Sequence, residues 1–237
     1  MSRQRVKYWT SRPGSGDYAN YWGKITDPDG RVRNRMDERE QFIADIDDEL
    51  TWLRSLTPGV IVDVGCGPGW LLSELSGFWG KIGVEVCEEA IKAALDAGLD
   101  VVGPSAGLSS LGSGLCDVVI CHHVIEHCNE PWVMLTEMRR ILRSGGRLLM
   151  ATPDFLSPCA VRFGKNYRLL HDPTHVSLFT REGMTAMLVE SGFTIDRLAY
   201  PFPFRFQEQA TWDRWNDTSK VSPPWPGNFL TFYCTKG

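Results

Sequence analysis

Hydrophobic positions follow two different periods along the chain, and the change between them predicts the order of its secondary structure. Between residues 36 and 56 the apolar side chains fall on one face of a helix. The residues on that face are Phe42, Ile43, Ile46, Leu50 and Leu53. Thr57, Pro58 and Gly59 then predict the end of the helix. Beyond them, short β-branched runs alternate with helical segments.

This alternation predicts an α/β fold in which a mostly parallel sheet is covered by helices on both faces. The predicted strands cover residues 60–64, 81–86, 100–102, 117–121, 147–152, 194–200 and 229–235. The predicted helices cover residues 70–75, 88–97, 131–142 and 180–190. We therefore expect one doubly wound domain. Residues 1–57 would form an N-terminal helical cap and residues 58–237 the core.

Charge and cysteine content exclude several classes of protein. The chain has 237 residues and a net charge of -4, without the basic footprint of a nucleic-acid-binding protein. It has neither an apolar run long enough for a membrane span nor the apolar stretch of a signal peptide. Its seven cysteines form no C-x-x-C pair. We expect free thiols and a cytoplasmic location, with no nucleic-acid partner.

Three glycines directly follow the first predicted buried strand. Gly65, Gly67 and Gly69 alternate with other residues, whereas a dinucleotide-binding loop would place its third glycine where this chain has Trp70. A P-loop would need a G-K-[ST] sequence, which is absent. The glycine pattern alone therefore indicates a ligand that approaches the backbone closely and disfavours a nicotinamide dinucleotide.

With acids at Asp63 and Glu85, residues 62–69 resemble the first motif of the class I S-adenosylmethionine-dependent methyltransferases. Residues 117–127 and 140–149 resemble the later motifs of that family, in the same order. The resemblance covers roughly residues 58–198. It implies a Rossmann-like sheet of seven strands whose last strand is antiparallel, and S-adenosyl-L-methionine as cofactor.

The resemblance also implies how the cofactor is held. Glu85 would accept hydrogen bonds from the ribose, and Asp63 would orient the loop or hold the amino group. This family often has an acid near the adenine, and we expect Ser105 or backbone groups to serve there instead. The full set of expected cofactor contacts is Asp63, Gly65, Cys66, Gly67, Gly69, Glu85, Val86, Ser105 and His122.

A second interpretation of the same region is a zinc site. His123, Glu126 and His127 match the H-x-x-E-H pattern of a group of zinc peptidases, and two histidines four residues apart on a helix can share a metal. The order of the methyltransferase motifs explains the segment without a metal. We therefore expect no metal site and keep a zinc-dependent hydrolase as the alternative.

The base for methyl transfer is sought among the histidines. His175 lies in the sequence after the fifth strand, where it either forms a turn or faces the reacting methyl group. Our catalytic candidates are His175, His123 and His127.

The acceptor pocket is expected from residues 153–180 and 201–228. Tyr8, Trp9, Tyr18, Tyr21 and Trp22 would form either a lid over the cofactor or packing within the cap. The acceptor is predicted to be a hydroxyl of a small metabolite or saccharide. A cofactor-binding regulatory module without catalysis is the remaining alternative.

Overall fold

The computed structural model describes residues 9–11, 21–103, 105–200, 209–223 and 228–237, with the backbone alone at 9–11 and 209–211. The strands are β1 (Trp9–Ser11), β2 (Lys24–Thr26), β3 (Val32–Asn34), β4 (Val60–Val64), β5 (Gly80–Val84), β6 (Asp100–Val102), β7 (Cys116–His122), β8 (Leu142–Pro153), β9 (Ser177–Phe179), β10 (Phe193–Ala199) and β11 (Phe229–Lys236). The helices are α1 (Arg39–Asp45), α2 (Asp47–Ser55), α3 (Trp70–Ser73), α4 (Glu88–Asp96), α5 (Pro131–Ile141), α6 (Pro158–Phe163), α7 (Arg181–Glu190) and α8 (Gln209–Asn216).

Seven strands form the central sheet in the order β10-β11-β8-β7-β4-β5-β6. Only β11 is antiparallel to its neighbours, β8 and β10. The sheet predicted from the sequence, including its antiparallel last strand, is therefore confirmed. The strand order reverses between β4 and β7, and ligands of such sheets bind outside the carboxyl ends of the strands at this point.

Helices cover both faces of the sheet, as the alternation of short strands and helices predicts. Along β4, Val62 and Val64 pack on one face with side chains from α5 and α7. Ile61 points to the other face and packs with side chains from α2, α3 and α4. Successive side chains of a strand point to opposite faces, so a fully apolar strand needs apolar cover on both sides.

The N-terminal region differs from the predicted helical cap. The predicted helix over residues 36–56 is divided at Ile46, where the backbone has φ -104° and ψ 20°. A hairpin of β2 and β3 precedes it, and Gly30, at φ +87°, closes the turn by donating a backbone hydrogen bond to Asp27. Earlier in the chain, β1 pairs with β9. The described part of residues 1–57 is therefore mixed, because its turn chemistry favours a hairpin.

All seven cysteines lie among the described residues, and none of them takes part in a disulfide bond. Within the part of the chain that the structure describes, no helix combines the length and the apolar character needed to cross a membrane.

Candidate active site

A cavity of about 790 Å³ opens at the point where the strand order reverses. Its inner wall contains residues that follow the carboxyl ends of β4, β5 and β7. Its other side is formed by residues 21–49, including Phe42 and Glu49. The cavity therefore lies where the fold predicts ligand binding.

The glycine loop after β4 has a left-handed backbone that leaves no room for side chains. Gly65 and Gly67 have φ values of +74° and +53°. A Cβ atom would lie 2.2 Å from a methyl carbon of Val124 at position 65, and 2.2 Å from the ring of Trp22 at position 67. Glycine is required here both for its backbone conformation and for the close approach of its neighbours.

Glu85 ties this glycine loop to the next strand. One carboxylate oxygen accepts a hydrogen bond of 2.8 Å from the backbone N–H of Gly67. The other accepts hydrogen bonds of 2.7 Å and 2.9 Å from the N–H groups of Val86 and Cys87. Each carboxylate oxygen keeps further accepting capacity. Ribose binding by Glu85 therefore stays a prediction, compatible with this second, structural role.

Asp63 has the chemistry to bind a cationic amino group. Its side chain is buried in the cavity wall, and among the described residues its Oδ1 has no hydrogen-bond partner. Burial, together with the nearby charge of Glu85, raises the pKa of Asp63 to about 7. An ammonium group of a ligand would supply the missing donor and favour the ionised carboxylate. These residues therefore fit the amino-acid end of S-adenosylmethionine.

The other predicted cofactor contacts lie in the cavity wall, in the core behind it or outside the wall. Val86, His122, Gly65 and the backbone of Cys66 belong to the cavity wall. The Cys66 side chain packs into the core, 2.5 Å from where a Cβ at Gly83 would lie.

Gly67 and Gly69 lie outside the wall, beneath Trp22 and Leu99. Ser105 is exposed and does not line the cavity, whereas Ser109 does. The prediction for Ser105 therefore has no support in the geometry, although Ser109 is exposed as well and donates its hydroxyl hydrogen bond to the carbonyl of Ala106.

His123 and Glu126 form a hydrogen-bonded pair at the end of β7. His123 Nδ1 lies 3.3 Å from Glu126 Oε1, and the His123 backbone has φ +56°, rare for a residue with a side chain. Glu126 is 1% exposed, and its second oxygen accepts a hydrogen bond from Thr152. His123 itself lines the cavity. The backbone thus accepts an unfavourable conformation that places an imidazole between a buried carboxylate and the cavity.

The charges around this pair favour an ionised Glu126. Burial would raise its pKa, but the hydrogen bond from His123 and the nearby imidazoles of His127 and His175 outweigh burial and hold the pKa well below its usual range. An ionised carboxylate only accepts hydrogen bonds, so the proton of neutral His123 resides on Nδ1. Nε2 is then left with its lone pair. Burial, with the nearby His123, lowers the pKa of His122 to about 3, so His122 is neutral.

His127 and His175 lie side by side, with ring centroids 4.9 Å apart. The Nδ1 atoms of both rings face backbone carbonyls, that of His127 at 3.0 Å from Thr174 and that of His175 at 2.8 Å from Leu169. His127 lines the cavity, but His175 is 6% exposed and does not. Of the three catalytic candidates, His123 and His127 therefore line the cavity, whereas His175 lies behind its wall.

The H-x-x-E-H segment does not form the helix face that a zinc peptidase uses. His123 precedes the helical turn, which includes only Ile125–His127. Within the described residues, the donor atoms that approach one another within 4.8 Å belong to Glu126, His127 and His175, without His123. The hypothesis of a shared metal on His123, Glu126 and His127 was therefore wrong in its geometry, because the left-handed turn at His123 interrupts the helix.

Aromatic side chains form much of the wall opposite the sheet. Trp22 contacts Trp70 edge to face at 5.4 Å, and Phe42 contacts the same ring at 5.7 Å. Tyr21 packs edge-on against His127 at 5.6 Å. Tyr21 and Trp22 thus line the cavity, as the lid interpretation predicts. Tyr8, Tyr18 and the side chain of Trp9 lie outside the described residues.

The cavity wall opposite the sheet is built from a region that we did not predict for the acceptor pocket. None of residues 153–180 and 209–223 lines the cavity, and residues 201–208 and 224–227 lie outside the described part of the chain. The N-terminal helices supply the wall instead. The sequence carried one signal of this, because Glu49 interrupts the apolar face of Ile46, Leu50 and Leu53.

Comparison with known proteins identifies the family. Residues 35–198 match a family described as "Methyltransferase domain". The chain is 32% identical over 123 residues to the ubiquinone biosynthesis O-methyltransferase of Caulobacter vibrioides, a stretch covering 48% of each chain. It is 27% identical over 114 residues to the corresponding protein of Ralstonia nicotianae, covering 44% of this chain and 48% of that one. The chain spans about half the length of these curated relatives.

Solved structures share the fold. A SAM-dependent methyltransferase from Archaeoglobus fulgidus superposes with a TM-score of 0.62 at 18% identity, covering 84% of this chain and 94% of that one. Magnesium protoporphyrin IX methyltransferase of Synechocystis, solved with bound SAH, superposes with a TM-score of 0.59 at 19% identity, covering 86% and 85%.

Sheet order, glycine loop and family match define a class I S-adenosylmethionine-dependent methyltransferase. The chain belongs to the methyltransferase-domain family, and its cofactor is S-adenosyl-L-methionine.

Replacing Gly67 tests the glycine loop. Gly67→Ala forces a Cβ into the ring of Trp22 and into an unfavourable backbone conformation. We expect its affinity for S-adenosylhomocysteine, measured by calorimetry, to fall at least tenfold, about 1.4 kcal/mol. Gly77→Ala is the matched control, since nothing lies within 4 Å of its Cβ. Equal affinities in the two variants would show that the loop does not contact the cofactor.

Asp63 makes a testable prediction about pH. Its pKa of about 7 leaves it mostly protonated at lower pH, and only the carboxylate attracts the cofactor's ammonium group. Affinity for S-adenosylhomocysteine should therefore rise about fivefold between about pH 6 and about pH 7. In Asp63→Asn the affinity should be weak and nearly flat over this window. A wild-type profile as flat as that of the variant would rule out a contact to the amino group.

Proposed function

We propose that this protein transfers the methyl group of S-adenosylmethionine to a hydroxyl group of a small molecule, with His123 as general base. The observation that carries the proposal is the His123–Glu126 pair at the end of β7. His123 lines the cavity, and Glu126, its hydrogen-bond partner, is buried. A hydrogen bond from Nδ1 to a carboxylate fixes the tautomer and leaves Nε2 able to accept a proton.

The chemistry asked of the protein is limited. The cofactor, when bound, supplies a methyl group already activated on a sulfonium. The remaining tasks are to exclude water, align the acceptor and take its proton. His123 Nε2 receives that proton as the acceptor oxygen bonds to the methyl carbon and the bond between carbon and sulfur breaks. The ionised Glu126 then stabilises the imidazolium through the hydrogen bond to Nδ1.

A hydroxyl acceptor agrees with both the site and the relatives. The curated relatives are O-methyltransferases of ubiquinone biosynthesis, and a hydroxyl must lose a proton when it is methylated. The aromatic wall of Trp22, Phe42 and Trp70 favours an apolar or ring-containing small molecule. Seven described cysteines without a disulfide bond support a reducing, cytoplasmic compartment.

Two other functions receive less support. A zinc hydrolase based on His123, Glu126 and His127 lacks the helix face that its motif requires. A regulatory module without catalysis would gain nothing from the left-handed backbone at His123, which costs free energy and serves to orient a side chain.

Three histidine variants test the assignment of the base. We expect His123→Ala to lower turnover at least about 100-fold, the usual contribution of a general base. Its affinity for S-adenosylhomocysteine should stay within about threefold of wild type. Turnover is measured as S-adenosylhomocysteine release across a panel of hydroxylated small molecules. His171→Ala is the matched control, because His171 is exposed and outside the cavity wall.

His175→Ala decides between the two candidate positions for the base. Because His175 is buried against the carbonyl of Leu169, its loss should lower the melting temperature more than the intrinsic turnover of the folded fraction. A large loss of turnover in His175→Ala at unchanged melting temperature, together with an active His123→Ala, would contradict the proposal.

A further inference from the structure

We infer that Glu49 forms an acceptor-recognition subsite in the cavity wall, where its Oε2 accepts a hydrogen bond from a hydroxyl or amine group of the methyl acceptor. The inference rests on the proposed function, since it concerns the second substrate of the same cavity. It adds a determinant of specificity that lies outside the methyltransferase motifs at residues 62–69, 117–127 and 140–149.

Glu49 is the charged residue on the buried face of α2. Its side chain is 0% exposed to solvent, and the residue contributes to the cavity wall beside Ile46 and Phe42. Its Oε1 accepts a hydrogen bond of 3.0 Å from Thr231 Oγ1. Its Oε2 is buried, and the described residues offer it no hydrogen-bond partner. Half of this carboxylate is therefore anchored, and the other half is unsatisfied.

Strand register places Thr231, which anchors Glu49, near the strand end that carries His123. Thr231 on β11 lies opposite Ala151 on β8, and Ala151 lies opposite His122 on β7. Thr231 is thus two strand spacings, about 10 Å, from the strand end that carries His123. Burial raises the pKa of Glu49, although its hydrogen bonds and the nearby His123 act in the opposite direction. Glu49 and His123 line the same cavity.

An unsatisfied buried carboxylate oxygen is costly, because burial removes the water that would otherwise donate a hydrogen bond to it. An apolar residue at position 49 would continue the face formed by Ile46, Leu50 and Leu53 without that cost. Retention of a carboxylate there is understandable when a bound molecule supplies the missing donor. The hydrogen bonding of Glu49 is then completed only when the ligand binds. Buried polar groups of this kind give specificity, because a ligand without the matching group leaves them unpaired.

The cations of the described cavity wall do not supply that donor. Arg33 forms ion pairs with Asp27 and Glu38. Arg35 stacks on Tyr21 at 3.7 Å. Both guanidinium groups are engaged elsewhere, so a bound ligand can supply the donor that the described residues do not give Glu49.

The surroundings of Glu49 indicate the rest of the acceptor's chemistry. Phe42, Ile46, Trp70 and Phe229 line the cavity with apolar surface, and Phe229 contacts the His123 ring at 4.6 Å. A ring-containing compound would pack against these walls while its polar group reached Glu49. The acceptor class is therefore a small ring compound that carries a hydrogen-bond donor in addition to the group that is methylated.

Three matched probes test this subsite by calorimetry on protein saturated with S-adenosylhomocysteine. Benzyl alcohol and benzylamine each combine a ring with a donor, whereas benzyl methyl ether has the ring without the donor. We expect at least one donor probe to bind wild type at least about tenfold more tightly than Glu49→Gln. The ether should bind both proteins equally. The alcohol and the amine distinguish a neutral donor from a cationic one.

The design separates recognition from folding. Glutamine keeps an oxygen for Thr231 and replaces Oε2 by a donor, so Glu49→Gln should unfold cooperatively at a melting temperature no lower than wild type. Glu40→Gln is the control, an exposed glutamate of α1 outside the cavity wall. It should leave all three probe affinities unchanged.

The outcomes that overturn the inference are distinct from those that overturn the proposed function. If neither donor probe binds wild type more tightly than Glu49→Gln, Glu49 does not recognise the acceptor. If Glu49→Gln loses cooperative unfolding or S-adenosylhomocysteine binding, Glu49 is a structural residue instead. If the wild-type protein does not bind S-adenosylhomocysteine, the proposed function itself is contradicted.

Discussion

The buried carboxylate of Glu126 is the constraint around which the candidate active site is arranged. A charge in the interior is tolerated only where hydrogen bonds and opposite partial charges surround it. Glu126 receives these from His123 on the cavity side and from Thr152 on β8. Its backbone carbonyl also accepts a hydrogen bond from the N–H of Val176. One residue therefore joins the end of β7, the neighbouring strand and the segment before β9.

Satisfying Glu126 also determines which histidine reaches the ligand. The left-handed backbone at His123 aims its ring between Glu126 and the cavity, whereas His175 is held behind the wall by a carbonyl. On the opposite side of the cavity, Glu49 presents a second carboxylate whose outer oxygen lacks a partner. Both carboxylate oxygens of Glu126 have a hydrogen-bond partner, which fits its proposed role of holding the base His123. One carboxylate oxygen of Glu49 has no partner among the described residues, which fits its proposed role in recognising a ligand.

Much of the fold could be predicted because its elements follow local rules. The buried run of β4 and the glycines after it identify strand and loop without any long-range information. The ligand class follows from the resemblance of these residues, with the acids at positions 63 and 85, to a known methyltransferase motif. The end of α4 follows from Gly98, whose backbone has φ +81°. The start of α7 follows from Thr180, whose side chain accepts a hydrogen bond from the N–H of Gly183. The hairpin of β2 and β3 was missed because the apolar pattern there is weak and turn residues alone define it.

The catalytic side chains were harder to predict, since their roles depend on contacts between distant segments. His175 and His127 are 48 positions apart in the chain, yet their rings are in contact, and the sequence gives no measure of which one faces the cavity. The same limit applies to Ser105 and Ser109, of which only the second lines the cavity although both are exposed. Glu49 was visible as a break in an apolar face, but its pairing with Thr231 was not.

A crystal structure of the protein with S-adenosylhomocysteine bound tests the central claim most directly. The account predicts that the amino group lies at Asp63, the ribose at Glu85 and the sulfur beside His123, with Nε2 of His123 open to the acceptor space between the sulfur and Glu49. A cofactor whose sulfur lies away from His123, or a His123 ring turned out of the cavity and replaced by His127 or His175, would contradict it.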